Sequence, residues 1–138
     1  MLILALPRNQ WRSRPNGLVM RDRNARGGDI LDRFLCLSVA IVRLIERLPK
    51  GATTRHIGLQ LVRAVTSAGA NYQEARHAES RADFVHKVSV AAKEIAETLY
   101  WLRLVDKLGV TAVGPHMKEA DELVAILVAS TNTARAGI

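Results

Sequence analysis

The stretch from Gln60 to Trp101 constrains the possible fold more than any other part of this chain. It reads QLVRAVTSAGANYQEARHAESRADFVHKVSVAAKEIAETLYW, two long segments with apolar residues at helical spacing and only Glu79–Ser80 between them. Ser80-Arg81-Ala82-Asp83 is a serine N-cap followed by an acid at the third helical position, the signature of a helix start. So short a joint predicts two antiparallel helices touching along their length. Such a hairpin leaves apolar surface exposed, and the flanking segments have to cover it.

Those segments also read as helices. The first runs from about Ile30 to Leu48, with Asp29 as its N-cap and Pro49 as its stop. Leu31, Phe34, Leu35, Ile41, Val42, Ile45 and Leu48 form one stripe, and Leu37 and Leu44 fall outside it beside Cys36. This arc is wider than a surface helix needs. It fits either deep burial in a bundle or a second face for a neighbouring subunit.

The second helix runs from about Thr54 to Ala78 after the break at Lys50-Gly51, with Thr53 or Thr54 as its cap. Ile57, Leu61, Val65, Ala68 and Tyr72 make its apolar stripe. A second stripe is small and polar: Gln60, Ala64, Ser67, Asn71, Glu74 or Ala75, and Ala78. Asn71 on that face needs hydrogen-bond partners, because an unmatched buried amide is costly.

The third helix runs from Arg81 to Leu108 and ends at Gly109. Phe84, Val88, Ala91, Ile95, Thr98, Leu102 and Val105 alternate in steps of four and three, a sustained heptad seam. The fourth helix starts near Pro115, with Met117, Ala120, Val124 and Leu127 as its stripe, widened by Leu123 and Val128, and fades in the polar run Ser130–Thr133. The 49% hydrophobic content is mostly Leu, Val, Ile and Ala, with only 4% aromatics, and no alternating strand pattern appears. The expected fold is all-α, an antiparallel up-down-up-down four-helix bundle over residues 29–134 with a short tail, 135–138.

Charge is unevenly spread. Residues 1–28 hold six arginines and one aspartate, a net +5, so the remaining 14 basic and 12 acidic residues net only +2 of the total +7. The pI near 10.3 therefore overstates the basicity of the bundle. The leader is rich in Arg, Asn, Pro and Gly, and its Leu2–Leu6 run is too short for a signal-peptide core. It is expected to be disordered; a basic arm for nucleic acid is the alternative, and Met20 could serve as an internal start. The single cysteine, Cys36, excludes an intramolecular disulfide and a cysteine zinc site and fits a reducing, cytoplasmic compartment. No apolar run approaches the roughly 18 residues of a membrane span.

Two constellations carry possible chemistry. Glu74-Ala75-Arg76-His77 is half of a carboxylate-bridged di-metal motif, but Glu94, Glu97, Glu119 and Glu122 come without the second Glu-x-x-His such sites use. No phosphate loop or nucleophile elbow is present, and His56, His86 and His116 are isolated and read as surface residues. The second constellation is Gln60, Ser67, Asn71, Glu74, Glu94 and Glu97 across the hairpin, with Arg63, Lys87 or Lys93 as counter-charges. It is either a binding site or a hydrogen-bonded network that sets helix register, and Lys93–Glu97 is also spaced as an i,i+4 pair. The cations that could contact phosphates are Arg43, Arg47, Lys50, Arg55, Arg63, Arg76 and Arg81.

Several blocks carry a family resemblance: Gln60-Leu61-Val62-Arg63, Ser67-Ala68-Gly69-Ala70-Asn71-Tyr72-Gln73-Glu74-Ala75, Ala78-Glu79-Ser80-Arg81-Ala82-Asp83-Phe84 and Lys93-Glu94-Ile95-Ala96-Glu97-Thr98-Leu99-Tyr100-Trp101-Leu102. From about Asp32 onward the chain resembles the bacterial four-helix-bundle proteins first noticed as reading frames in 23S ribosomal RNA intervening sequences. That family is similar in turn to the accessory variability protein of diversity-generating retroelements. The resemblance implies a ring-shaped homo-oligomer, a pentamer, with basic surface for RNA or DNA and a reverse transcriptase as a partner. No cofactor or metal is implied. The expected function is a non-enzymatic oligomeric binding or assembly module. A protein-only scaffold is the alternative, and a di-metal carboxylate enzyme the remote one.

Overall fold

A computed structural model describes residues 26–137 of the chain. It contains four helices: α1 Arg26–Glu46, α2 Ala52–Arg76, α3 Arg81–Leu108 and α4 Gly114–Arg135. The α2–α3 contact is the most extensive, followed by α3–α4, α1–α2 and α1–α4. The helices thus close a four-membered ring in which α1 and α3 sit diagonally. Antiparallel register is visible in the ion pairs, since Arg63 of α2 meets Glu94 and Glu97 of α3 whereas the later Glu74 meets the earlier Lys87. The fold is the expected all-α four-helix bundle.

The hairpin joint forms as its residues dictate. Ser80 is extended (φ −150°, ψ 168°), and its hydroxyl accepts from the Asp83 N–H at 3.0 Å. The Asp83 carboxylate accepts in return from the Glu79 N–H at 3.2 Å. Two otherwise unpaired backbone donors are satisfied this way. At the far end Gly109 adopts φ 68°, a left-handed conformation that costs glycine nothing, and its N–H closes on Val105 and Asp106.

The seam read along α3 is buried throughout: Phe84, Val88, Ala91, Ile95, Thr98, Leu102 and Val105. The Thr98 hydroxyl donates to the Glu94 carbonyl at 2.9 Å, which lets a polar side chain sit in the core. Ile57, Leu61, Val65, Ala68 and Tyr72 of α2 face the same interior. Near the α1–α2 turn the Ile45 side chain packs so closely on α2 that a Cβ on Gly58 would lie 2.9 Å from Ile45 Cγ2.

Several expectations need correction. Along α1 and just past its end the buried seam is Ile30, Phe34, Leu37, Ile41, Leu44 and Leu48, again in steps of four and three. Leu37 and Leu44, placed outside the stripe, are core, whereas Leu35 (57%) and Val42 (42%) are exposed. The apolar arc is wide enough to hold two stripes, and packing against α2 and α4 selects one. Residues 26–28, assigned to the leader, form the first turn of α1, and Gly27 is already buried. Asp29 is therefore a first-turn acid, well placed against the helix dipole, and not the N-cap. The expectation of disorder for residues 1–25 falls outside the described residues.

Neither Thr53 nor Thr54 caps α2. Gly51 stands at that position, and the Thr54 hydroxyl donates back to the Gly51 carbonyl at 3.2 Å and to that of Pro49. In α4, Leu123 belongs to the core while Met117 and Val124 are half-buried and Val128 is exposed. The helix does not fade at Ser130. Ser130 and Thr131 are buried with their hydroxyls returned to the Ile126 and Leu127 carbonyls, so α4 reaches Arg135. No described helix is long and apolar enough to cross a membrane.

Candidate functional site

An up-down bundle gathers the end of α1, the start of α2, the end of α3 and the start of α4 at one pole. Two observations agree with this: His56 of α2 meets Trp101 of α3 (ring centroids 5.8 Å apart), and Arg47, just past the end of α1, is near enough to His116 of α4 for its charge to lower the His116 pKa. Arg43, Arg47, Lys50, Arg55, Arg103, Lys107 and Lys118 all lie at this pole, and all are exposed. Against these seven cations the same spans, 43–55 and 103–118, hold only Glu46 and Asp106, a net +5. The segment 29–138 nets +2, so the rest of it nets −3. Among the described residues none of the seven cations is in an ion pair.

The seven cations nominated from sequence separate in space. Arg43, Arg47, Lys50 and Arg55 stand together at the basic pole. Arg63 lies midway along α2, donates to Glu94 (3.2 Å) and Glu97 of α3, and touches Gln60 at 3.1 Å. One guanidinium against two carboxylates leaves this cluster net negative. Arg76 and Arg81 lie at the opposite pole, where Arg76 Nε is buried without a hydrogen-bond partner among the described residues. Arg103, Lys107 and Lys118 were not nominated. They are far from the α1–α2 turn in sequence, and their heptad positions were the available signal.

The hairpin polar set divides likewise. Gln60, Arg63, Glu94 and Glu97 form one cluster, extended by Trp101, whose Nε1 donates to Glu97 at 3.2 Å. Glu74 and Lys87 form a second pair at 2.6 Å, and the hydrogen bond that Lys87 donates to the Glu74 carboxylate raises the Lys87 pKa. Asn71 belongs to neither, since its amide donates to the Ser67 carbonyl (2.9 Å) and hydroxyl (3.4 Å) one turn earlier in α2. Its partners are therefore local and not on the facing helix. Lys93 is exposed and unpaired among the described residues, because Glu97 turns to Arg63 and Trp101 instead of along its own helix.

Sequence reading also missed the fork between Arg33 of α1 and Glu119 and Glu122 of α4. Arg33 Nε lies 2.9 Å from Glu119 and its terminal nitrogen 2.7 Å from Glu122, and the Glu119 hydrogen bond is the largest cause of its raised pKa. Those carboxylates are thus drawn toward α1 and away from Glu74 and His77. Glu74 is held by Lys87, and His77 caps the end of α2. Among the described residues no group of three His, Cys, Asp or Glu could hold a metal ion.

His116 is not a surface residue. It is half-buried beside Cys36, Leu37, Ala40, Pro115 and Glu119 around a hollow of about 370 Å³. Burial lowers its pKa below the ordinary 6.5, the Arg47 charge pushes the same way, and the Ala40 backbone opposes both. A larger apolar groove of about 410 Å³ lies between α1 and α2, lined in part by Leu31, Phe34, Leu35, Gly69 and Ala70. Exposed Leu35, Val39, Val42 and Leu59 extend the apolar surface of these two helices.

Residues 29–129 match the family described as 23S rRNA-intervening sequence protein. A crystal structure of a protein of unknown function from the S23 ribosomal protein family of Bacteroides thetaiotaomicron superposes with a TM-score of 0.69 at 31% identity, covering 77% of this chain and 97% of that one. No curated protein matches.

Proposed function

From the premise that the chain belongs to the 23S rRNA-intervening sequence protein family, we propose that it is a non-enzymatic binding module that holds nucleic acid phosphates on the basic pole of its bundle. The observation that carries this is charge segregation. A segment netting +2 concentrates +5 at one end, on exposed side chains that no carboxylate neutralises among the described residues. Free cations on a rigid scaffold suit phosphate contacts, which give affinity without sequence preference.

The module acts as a homo-oligomer. Leu35, Val39, Val42 and Leu59 are uncovered on α1 and α2, and burying them against another copy would remove apolar surface from water at about 25 cal/mol per Å². A ring repeats the basic pole and raises avidity without any new contact. The same apolar face also favours the second reading, a protein-only scaffold.

The test is RNA and duplex DNA binding by the whole chain and by a chain starting at residue 26, over a salt series from about 50 to about 200 mM. Both forms should bind at low salt with little sequence preference and lose affinity steeply as salt rises. Binding only when residues 1–25 are attached, or binding indifferent to salt, would overturn the proposal for the bundle and leave the scaffold reading.

A further inference from the structure

Running away from the pole, with which it shares Arg103 and Lys107, α3 carries an outer face that the fold does not use. Lys93, Ala96, Tyr100, Arg103 and Lys107 recur in steps of three and four on the side turned away from the buried Ile95–Leu102–Val105 seam, and all five are exposed. They form a stripe about 21 Å long at 1.5 Å per residue. No carboxylate belongs to it. Glu94 and Glu97 are turned into the α2 groove by Arg63, and Asp106 adjoins the buried seam.

Tyr100 is the unusual member. Phe34, Phe84 and Tyr72 are buried and Trp101 is partly buried, yet Tyr100 is 61% exposed. Its ring is nevertheless held in place. It meets Trp101 edge to face at 5.2 Å and 78°, and Trp101 is itself fixed by Glu97 and by an edge contact with His56. An aromatic ring that is ordered, exposed and flanked by cations with no opposing carboxylate has the makings of a stacking platform. Stacking requires an unpaired base, which a duplex does not offer.

We propose that this face of α3 binds single-stranded nucleic acid, with a base stacked on Tyr100 and the neighbouring phosphates on Lys93, Arg103 and Lys107. The inference rests on the basic pole being a nucleic-acid surface, and it names the substrate class. α3 lies diagonally opposite α1, so this stripe is no part of the apolar α1 face.

The full chain is tested by fluorescence anisotropy against short oligo(U), oligo(dT) and a duplex of equal length. Single strands should bind more tightly than duplex. Tyr100→Ala should weaken both single strands by about tenfold and leave the duplex unchanged, the stacking loss of one base. Tyr100→Phe should retain binding. Tyr100→Leu, which keeps the apolar bulk without the π-face, should reproduce the loss if the alanine variant is less helical. Lys107→Gln should lower the salt slope by about one on all three ligands.

Equal affinity for duplex and single strands, or a Tyr100→Ala protein that binds oligo(U) and oligo(dT) like wild type, would overturn the inference and leave the basic pole standing. If Arg47→Glu with Arg55→Glu changes no binding at all, the pole reading fails and this inference with it. A Tyr100→Ala variant that loses oligomer mass while its binding persists identifies the stripe as a protein contact and likewise overturns it.

Discussion

Arg63 on α2 and Arg47 in the turn just past α1 are both surface arginines, yet the bundle uses them in opposite ways. In the α2–α3 groove Arg63 is met by Glu94 and Glu97 from the next helix, so its charge is spent holding the hairpin together. At the basic pole Arg47 and Arg55 meet no carboxylate among the described residues and project into solvent. An arginine's role here follows from what the facing helix supplies, not from its own helix. Mutations should therefore separate the two regions, one changing binding and the other stability.

The largest effect belongs to the pole. Arg47→Glu with Arg55→Glu should cut low-salt nucleic-acid affinity by about a hundredfold, as two phosphate contacts become repulsions. Melting temperature should change little, because both side chains are exposed. Unfolding and binding curves on one preparation check this; a large stability loss with affinity intact would reverse the assignment.

Arg63→Ala should do the converse. Glu94 and Glu97 would face each other without a counter-charge, and the protein should lose about 0.5–1 kcal/mol, a modest figure because the Arg63 side chain is 47% exposed and solvent screens the pair. Denaturant unfolding measures that loss, and nucleic-acid affinity should stay within about twofold of wild type.

The smallest effect sharpens the comparison within the pole itself. His116 has a folded pKa below its ordinary 6.5, first because it is buried and then because Arg47 is near. The unfolded chain then takes up a proton that the folded chain resists. Stability should be level above about pH 6.5 and decline as pH falls below it. Glu119 and Cys36 line the same hollow, and Glu119 is already engaged by Arg33. His116→Gln should flatten this part of the pH profile, read by thermal melts across the range. An unchanged slope would mean that other groups set it.

Much of the fold was legible along the chain. Every residue of the α3 seam read from the spacing is buried, because a step of four and three defines one helix face; only Leu99, buried beside it, was not in the stripe. The Ser80–Asp83 capping pair depends only on neighbours within one turn. The α1 stripe was misassigned because Leu31–Leu48 holds two apolar stripes, and periodicity alone does not say which one a neighbour covers. Thr53 and Thr54 were equally plausible caps by residue type, but the Gly51 turn places the start of α2 ahead of both.

The candidate site was legible only in part for the same reason. Arg43, Arg47, Lys50 and Arg55 are close in sequence and stay together in space. Arg103, Lys107 and Lys118 join them because antiparallel packing carries two distant chain segments to the same pole. By its local patterns the sequence determined four helices, their order, the hairpin at their centre and most of their buried seams, since these follow from spacing and capping within a turn or two. Only the tertiary structure decided which cations are neutralised and which are free, because an ion pair between helices depends on register, and register is set by the packing of the whole bundle.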